Sequence, residues 1–140
     1  MSDSVIVDTS VWIGFFRSAG SEVSARLRQL LKSGAPVYTG IIATELYRGA
    51  KSRKETNALD ELLTSIECIE TREEDFHAAG QLGYALARQG ITVGTVDLLI
   101  AQISIANNLS LFTLDKHFVP IARHSSLRLY SNYNANHGTR

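Results

Sequence analysis

Short apolar runs alternate with longer amphipathic stretches along the chain, and this alternation predicts its secondary structure. The run Val5-Ile6-Val7 is β-branched and continuously apolar, which is typical of a buried strand. Other short segments rich in apolar residues predict further strands at residues 36–39, 68–69, 109–112 and 127–130. Apolar residues at helical spacing predict helices between the strands, covering residues 12–16, 23–31, 42–50, 59–66, 76–86 and 96–106.

Two of these helices have recognisable N-terminal signals. Thr71 and Glu74 have the spacing of a capping box, and Thr95 is placed to cap the helix 96–106. That helix is apolar nearly all round, so we expect it to be buried. We expect most of the aromatic cluster near the N-terminus to lie in the core, with contact to a partner protein left open for Trp12; its members are Trp12, Phe15 and Phe16.

Strands that alternate with helices predict an α/β fold whose mainly parallel sheet is covered on both faces. Right-handed crossovers then place the carboxyl ends of all strands on one edge, where open sheets bind ligands. The length suits a single domain, which we place at residues 1–130. Residues 131–140 are polar and Asn-rich, and we predict a flexible tail there.

Composition narrows the class of protein. Cys68 is the single cysteine, so the chain forms no internal disulfide. No apolar run approaches the ~20 residues of a membrane span, and the N-terminus does not resemble a secretion signal, so we expect a cytoplasmic protein. Basic and acidic residues number 14 each, which gives a formal net charge of +0 and argues against nucleic-acid binding by bulk charge.

Four acidic residues follow predicted strands or begin predicted helices: Asp8, Glu45, Asp97 and Asp115. In a parallel sheet all four would project from the same edge. Each also has a purely structural explanation. Asp8 and Asp97 suit helix N-termini, Glu45 is placed to pair with Arg48, and Asp115 suits a turn.

Asp97 favours a functional explanation. It lies in a nearly apolar helix, and the segment 90–108 contains no Lys or Arg to pair with it. Burying an unpaired carboxylate is costly, and four clustered carboxylates repel each other. A divalent cation relieves both costs, and oxygen donors without interleaved Cys or His suit Mg²⁺ or Mn²⁺ better than zinc.

Four segments carrying these acids resemble the signature segments of PIN-domain nucleases, and the chain length and their order resemble the VapC branch of that family. They are residues 5–10, 44–49, 96–101 and 111–118. The resemblance implies an α/β/α sandwich and a Mg²⁺-dependent endoribonuclease, the toxin of a type II toxin–antitoxin pair. It further implies a homodimer and inhibition by a VapB-type antitoxin.

The resemblance also assigns roles to residues. Asp8, Glu45, Asp97 and Asp115 match the acidic quartet, and Asp8 and Asp97 match the usual metal ligands. Small hydroxyl residues that line such sites correspond to Thr113 and to Thr9 or Ser10. Hydrolysis by a metal-activated water is the expected chemistry. Candidate RNA contacts, which are equally consistent with a solvated helix face, are Arg48, Lys51, Arg53, Lys54, Lys116 and Arg123.

Two other classes of function stay open at this point. Asp8 at a strand end also suits the acceptor of an aspartate-dependent phosphatase or phosphotransfer domain, although Ser10 stands where such phosphatases carry a second Asp. The acids of a protein-binding module without catalytic activity would only cap helices.

Overall fold

The computed structural model describes residues 3–130, so the predicted tail at 131–140 lies outside the described residues. Five strands form one fully parallel sheet in the order β3-β2-β1-β4-β5. The predicted strands and the α/β fold with a parallel sheet are confirmed. The strands are β1 Val5–Val7, β2 Pro36–Thr39, β3 Glu67–Ile69, β4 Ser110–Phe112 and β5 Arg128–Leu129.

Seven helices occur within residues 3–130, and six of them match the predicted ones. The seventh, α7, was not predicted, because six residues with a central proline, Pro120, are too few to show helical periodicity. The helices are α1 Thr9–Arg17, α2 Glu22–Ser33, α3 Gly40–Arg48, α4 Arg53–Ser65, α5 Glu73–Ala87, α6 Thr95–Ala106 and α7 Phe118–Arg123.

The chain changes direction in the middle of the sheet. It runs from β1 outward through β2 to β3, and then returns to the other side of β1 to form β4 and β5. Right-handed crossovers in opposite directions place their helices on opposite faces of the sheet. Helix α1 accordingly packs against α2 and α3, while α5 packs against α6. The reversal makes the carboxyl ends of β1 and β4 a topological switch point, where such sheets bind ligands.

Two helix starts differ from the sequence prediction. The N-cap of α5 is Arg72 rather than Thr71, because the buried carboxylate of Asp75, not that of Glu74, accepts a hydrogen bond from the Arg72 backbone N–H at 2.8 Å. The N-cap of α6 is Gly94, so Thr95 is the first helical residue rather than the cap. Both observed N-caps lie within one residue of the predicted ones.

The core lies between the sheet and its covering helices, and β1 is buried along its whole length. Helix α6 contributes several buried residues, as its apolar sequence predicts. The role in partner contact left open for Trp12 is wrong, since its side chain is completely buried; the exposed apolar residues of α1 are Ile13 and Phe16. Within residues 3–130, no helix has the length and apolar character needed to span a bilayer.

Candidate active site

The four predicted acids all lie at the carboxyl edge of the sheet. Asp8 directly follows β1 and is the N-cap of α1, and its backbone N–H donates to the Phe112 carbonyl of β4 at 2.9 Å. Asp115 lies three residues beyond β4, Glu45 lies in the second turn of α3, and Asp97 lies in the first turn of α6. The switch point between β1 and β4 is therefore lined by carboxylates from four elements that are distant in sequence.

Hydroxyl groups hold Asp8 in place. Its Oδ2 accepts hydrogen bonds from Ser10 Oγ at 2.7 Å and from Thr113 Oγ1 at 2.8 Å. Thr113 Oγ1 in turn accepts the Asp115 backbone N–H at 2.9 Å, and Ser10 Oγ accepts the Leu114 N–H at 3.0 Å. These bonds join the loop after β4 to the start of α1, so Asp8 is buried but well compensated on one oxygen.

A third hydroxyl orients Glu45. Thr9 Oγ1 donates to Glu45 Oε1 at 2.8 Å, which connects the first turn of α1 to α3. Thr9, Ser10 and Thr113 were the supporting residues suggested by the family resemblance, and each of them bonds directly to an acid of the quartet. The hydroxyls thus fix two of the four carboxylates.

Asp97 has a different environment. Among residues 3–130 no group donates a hydrogen bond to its carboxylate, and its pKa is raised from 3.8 to about 6. The largest cause is burial, followed by the negative charges of Asp115, Asp8 and Glu45, which His117 partly offsets. The other three acids are therefore all close enough to disfavour the charged form of Asp97, which has no hydrogen-bond donor among the described residues to compensate it.

His117 also lies at the site, although no sequence pattern predicted it there. Its ring Nδ1 lies 2.8 Å from Asp115 Oδ1, and its backbone N–H donates to the same oxygen at 2.9 Å. A ligand atom of Asp97, one of Asp115 and one of His117 all lie within 4.8 Å of one another. In the sequence, its position two residues after Asp115 is what links His117 to the acids. A histidine without cysteine partners does not by itself predict a metal site.

The donor set fits a divalent cation. Both hydrogen bonds of the Asp8 carboxylate end on Oδ2, so Oδ1 has no donor among the described residues. The Asp97 carboxylate has none either, and Asp115 adds an oxygen near it. Free carboxylate oxygens around one crowded negative site are the ligands that Mg²⁺ and Mn²⁺ prefer.

The candidate RNA-binding residues are all exposed, and they lie in three places. Arg48, Lys51, Arg53 and Lys54 lie at the end of α3 and the start of α4, while Lys116 follows Asp115. Arg123, at the end of α7, is also exposed.

An apolar groove leads away from the acids. It has a volume of about 510 Å³ and lies between α1, α3 and α4, with Ile13 and Phe16 on one wall and Glu45 in its lining. Arg17 and Lys54 add positive charge to the lining, and Arg17 lies 3.7 Å from Glu55. The sequence did not reveal Arg17 as a groove residue, because its position depends on how α1 packs against the other two helices.

The arrangement of four acids at the switch point of a parallel sheet matches a known family. A family model described as PIN domain covers residues 5–123, and the chain belongs to this family. The relatives that it matches are VapC ribonucleases. VapC ribonuclease Mb1587 from Mycobacterium bovis is 30% identical over 131 residues, covering 91% of this chain and 98% of the relative. Ribonuclease VapC1 from Methanocaldococcus jannaschii is 26% identical, covering 90% and 86%.

Solved structures with the same fold include toxin–antitoxin complexes. VapBC2 from Rickettsia felis, bound to a promoter DNA fragment, has a TM-score of 0.74 and 25% identity, covering 89% of this chain and 96% of the matched chain. FitAcB from Neisseria gonorrhoeae has a TM-score of 0.75 and 20% identity, covering 92% and 98%. The resemblance predicted from the four sequence segments is confirmed.

Proposed function

We propose that the chain is a divalent-metal-dependent ribonuclease that acts as the toxin of a VapBC-type pair. Its site consists of Asp8, Glu45, Asp97 and Asp115, with Asp8 and Asp97 as the ligands of Mg²⁺, which Mn²⁺ can replace. One observation carries this proposal: Asp97 is a partly buried carboxylate that no hydrogen-bond donor within residues 3–130 reaches, and three other acids lie close enough to raise its pKa. Family membership and VapC relatives support RNA cleavage as the use of such a site.

Some of the site's side chains hold the cation, and others orient the attacking water. A bound divalent cation lowers the pKa of a water that it holds and neutralises charge on a phosphodiester. Asp8 offers Oδ1 to the cation while Ser10 and Thr113 hold Oδ2. Glu45, with Oε1 held by Thr9, keeps Oε2 for orienting the attacking water.

The reaction is a hydrolysis in which water attacks phosphorus from the side opposite the leaving oxygen. The water oxygen bonds to phosphorus, the bond from phosphorus to O3′ breaks, and O3′ takes a proton. The products carry a 5′-phosphate and a 3′-hydroxyl, and the 2′-hydroxyl takes no part. This chemistry needs an acidic metal site rather than the phosphate-accepting Asp of the phosphatase alternative, and the hydroxyl of Ser10 bonded to Asp8 is consistent with it.

Local positive charge brings the RNA to an acidic site. The exposed residues Arg48, Lys51, Arg53 and Lys54 lie on the elements that follow Glu45, and Lys116 lies next to Asp115. Since the net charge is +0, we expect these patches rather than overall charge to bind phosphates, and binding to weaken as salt rises.

The partner of the apolar groove is a VapB-type antitoxin. Ile13 and Phe16 are large exposed apolar residues, and an amphipathic segment laid into such a groove buries them. The groove is lined by Glu45, so a segment bound there also obstructs the acids. Phe16→Glu should prevent co-purification with the antitoxin encoded beside this chain's gene, whereas Phe76→Glu, at an exposed position on α5, should not.

The nuclease proposal is tested with total cellular RNA as the substrate and Mg²⁺ in the buffer. We expect Asp97→Asn and Asp8→Asn each to reduce cleavage at least about 100-fold, a loss of about 3 kcal/mol in transition-state stabilisation. Glu61→Gln, which removes an exposed carboxylate on α4, is the control and should cleave normally. Sequencing of the RNA ends should find 5′-phosphates. Wild-type rates in both Asp variants would reject the assignment.

A further inference from the structure

His117 is a nitrogen donor at the edge of a site that otherwise offers carboxylate oxygens. We propose that its ring Nδ1 binds the same cation as Asp97 and Asp115, so that the site prefers Mn²⁺ to Mg²⁺. This inference rests on the cation site proposed above, but it does not depend on RNA being the substrate.

The donor spacing supports a shared cation. Nδ1 of His117 and Oδ1 of Asp115 are 2.8 Å apart, and a ligand atom of Asp97 lies within 4.8 Å of both residues' donors. Adjacent ligands of a six-coordinate cation lie about 3 Å apart, since each is about 2.1 Å from the ion at right angles to the next. The pair therefore already has the separation of two neighbouring ligands.

The backbone holds the two donors together. The His117 backbone N–H donates to Asp115 Oδ1 at 2.9 Å, which fixes that carboxylate at the start of α7. The imidazole is 84% exposed, so its other nitrogen can keep a proton in contact with water while Nδ1 binds metal. Few atoms need to move for the ring to exchange a hydrogen bond for a metal bond.

The other described histidines lack this arrangement. Nδ1 of His124 lies 2.9 Å from the Pro120 carbonyl of its own helix. His77 is in the first turns of α5 and lies 4.0 Å from Glu73. His77 is thus an exposed histidine next to a carboxylate but outside the acid cluster, which makes it the matched control.

A nitrogen ligand changes which metals the site prefers. Mg²⁺ strongly favours oxygen donors, whereas affinity for nitrogen donors rises from Mn²⁺ along the first transition row. Removing His117 should therefore cost Mn²⁺ affinity much more than Mg²⁺ affinity. The ratio of the two dissociation constants reports this directly, without any assay of RNA cleavage.

The test is pulsed electron paramagnetic resonance of Mn²⁺ bound to the whole chain. We expect a ¹⁴N coupling typical of a bound imidazole in the wild type and in His77→Gln, and its loss in His117→Gln. Titrations should show that His117→Gln weakens Mn²⁺ binding about tenfold and Mg²⁺ binding less than twofold. Because His117 is exposed, circular dichroism and Tm should be unchanged.

Four outcomes would overturn the proposal. Mn²⁺ that binds the wild type without ¹⁴N coupling would exclude His117 as a ligand while leaving the carboxylate site intact. Coupling that persists in His117→Gln would assign the nitrogen to another residue. Mn²⁺ that fails to bind at all, or binds Asp97→Asn equally well, would overturn both this inference and the cation site on which it rests.

Discussion

The two halves of the acidic site are built differently. Asp8 is the more deeply buried acid, yet two hydroxyls donate to it and join it to the loop after β4. Asp97 is less buried, but it has no donor among residues 3–130 and its pKa is raised to about 6. The protein therefore compensates the charge of Asp8 itself and leaves that of Asp97 uncompensated, which is what the proposed cation site requires.

The difference follows from the elements that carry the acids. Asp8 lies at the junction of two strands, where the loop after β4 brings Thr113 within hydrogen-bond distance. Asp97 lies on α6 between Val96 and Leu98, and these apolar side chains cannot donate hydrogen bonds to it. Asp8 with the Ser10 and Thr113 hydroxyls is the rigid half of the site, and Asp97 is its uncompensated half. Because the hydroxyl bonds form without a metal, the rigid half is organised in advance of the proposed cation.

The largest expected effect comes from loosening the rigid half. Thr113→Val keeps the side-chain shape but removes the donor to Asp8 and the acceptor of the Asp115 N–H. We expect Mg²⁺ affinity to fall about 10- to 100-fold, as for other groups that orient metal ligands. Calorimetric titration measures this, with Thr64→Val on α4 as a control. Equal affinity in both variants would mean that the hydroxyl network does not organise the site.

The second prediction compares how substitutions in the two halves change the free energy of unfolding in cation-free buffer. Asp8→Ala leaves the Ser10 and Thr113 hydroxyls without their acceptor, so we expect a loss of about 2 kcal/mol in unfolding free energy. Asp97→Ala removes a repelled charge, and we expect a gain of about 1 kcal/mol after discounting for solvent screening. Urea unfolding of both variants measures the difference, and two losses of equal size would contradict it.

The third prediction concerns pH. The pKa of Asp97 is raised on folding. Between about pH 4 and pH 6 the folded chain therefore keeps a proton on Asp97 that the unfolded chain has lost. Below this window Asp97 is protonated and its charge does not lower the free energy of unfolding. Above the window the charge is fully present, so the free energy of unfolding falls as pH rises through the window. The stability of Asp97→Asn minus that of the wild type should grow from near zero at pH 4 to about 1 kcal/mol at pH 7. A difference independent of pH would contradict the raised pKa.

The smallest effect concerns Glu45. Thr9→Val removes the hydroxyl that donates to the Glu45 carboxylate, while the charge and the remaining acids stay in place. We expect kcat for RNA cleavage to fall about three- to tenfold, within the range of one lost hydrogen bond, with Mg²⁺ affinity nearly unchanged. A loss as large as that of Thr113→Val would mean that Glu45 belongs to the rigid half.

Sequence patterns predicted the parts of the structure that depend on local periodicity. The strands of the sheet follow from short runs rich in apolar residues, and their parallel order places Asp8 and Asp115 at one edge. The assignment of the four acids to catalysis stays a prediction, but their proximity is now a structural observation. Apolar neighbours and missing basic residues had already indicated that Asp97 is poorly compensated.

Features that depend on packing or on a single short contact were out of reach. Helix α7 is too short to show periodicity, and the bond of His117 to Asp115 depends on how that helix starts. The groove requires α1 to pack beside α3 and α4, which no local pattern specifies. For the same reason Trp12 could not be separated in advance from its exposed neighbours Ile13 and Phe16.

The most direct measurement is an NMR titration of the Asp97 side-chain carboxyl carbon, with and without saturating Mg²⁺. The account predicts a pKa of about 6 in the cation-free protein. We also expect the pKa of Asp97 to fall below the ordinary range of an aspartate when the cation binds, because a ligand carboxylate is held in its charged form. An Asp97 pKa that stays the same in both conditions would contradict the claim that this half of the site is completed by a metal ion.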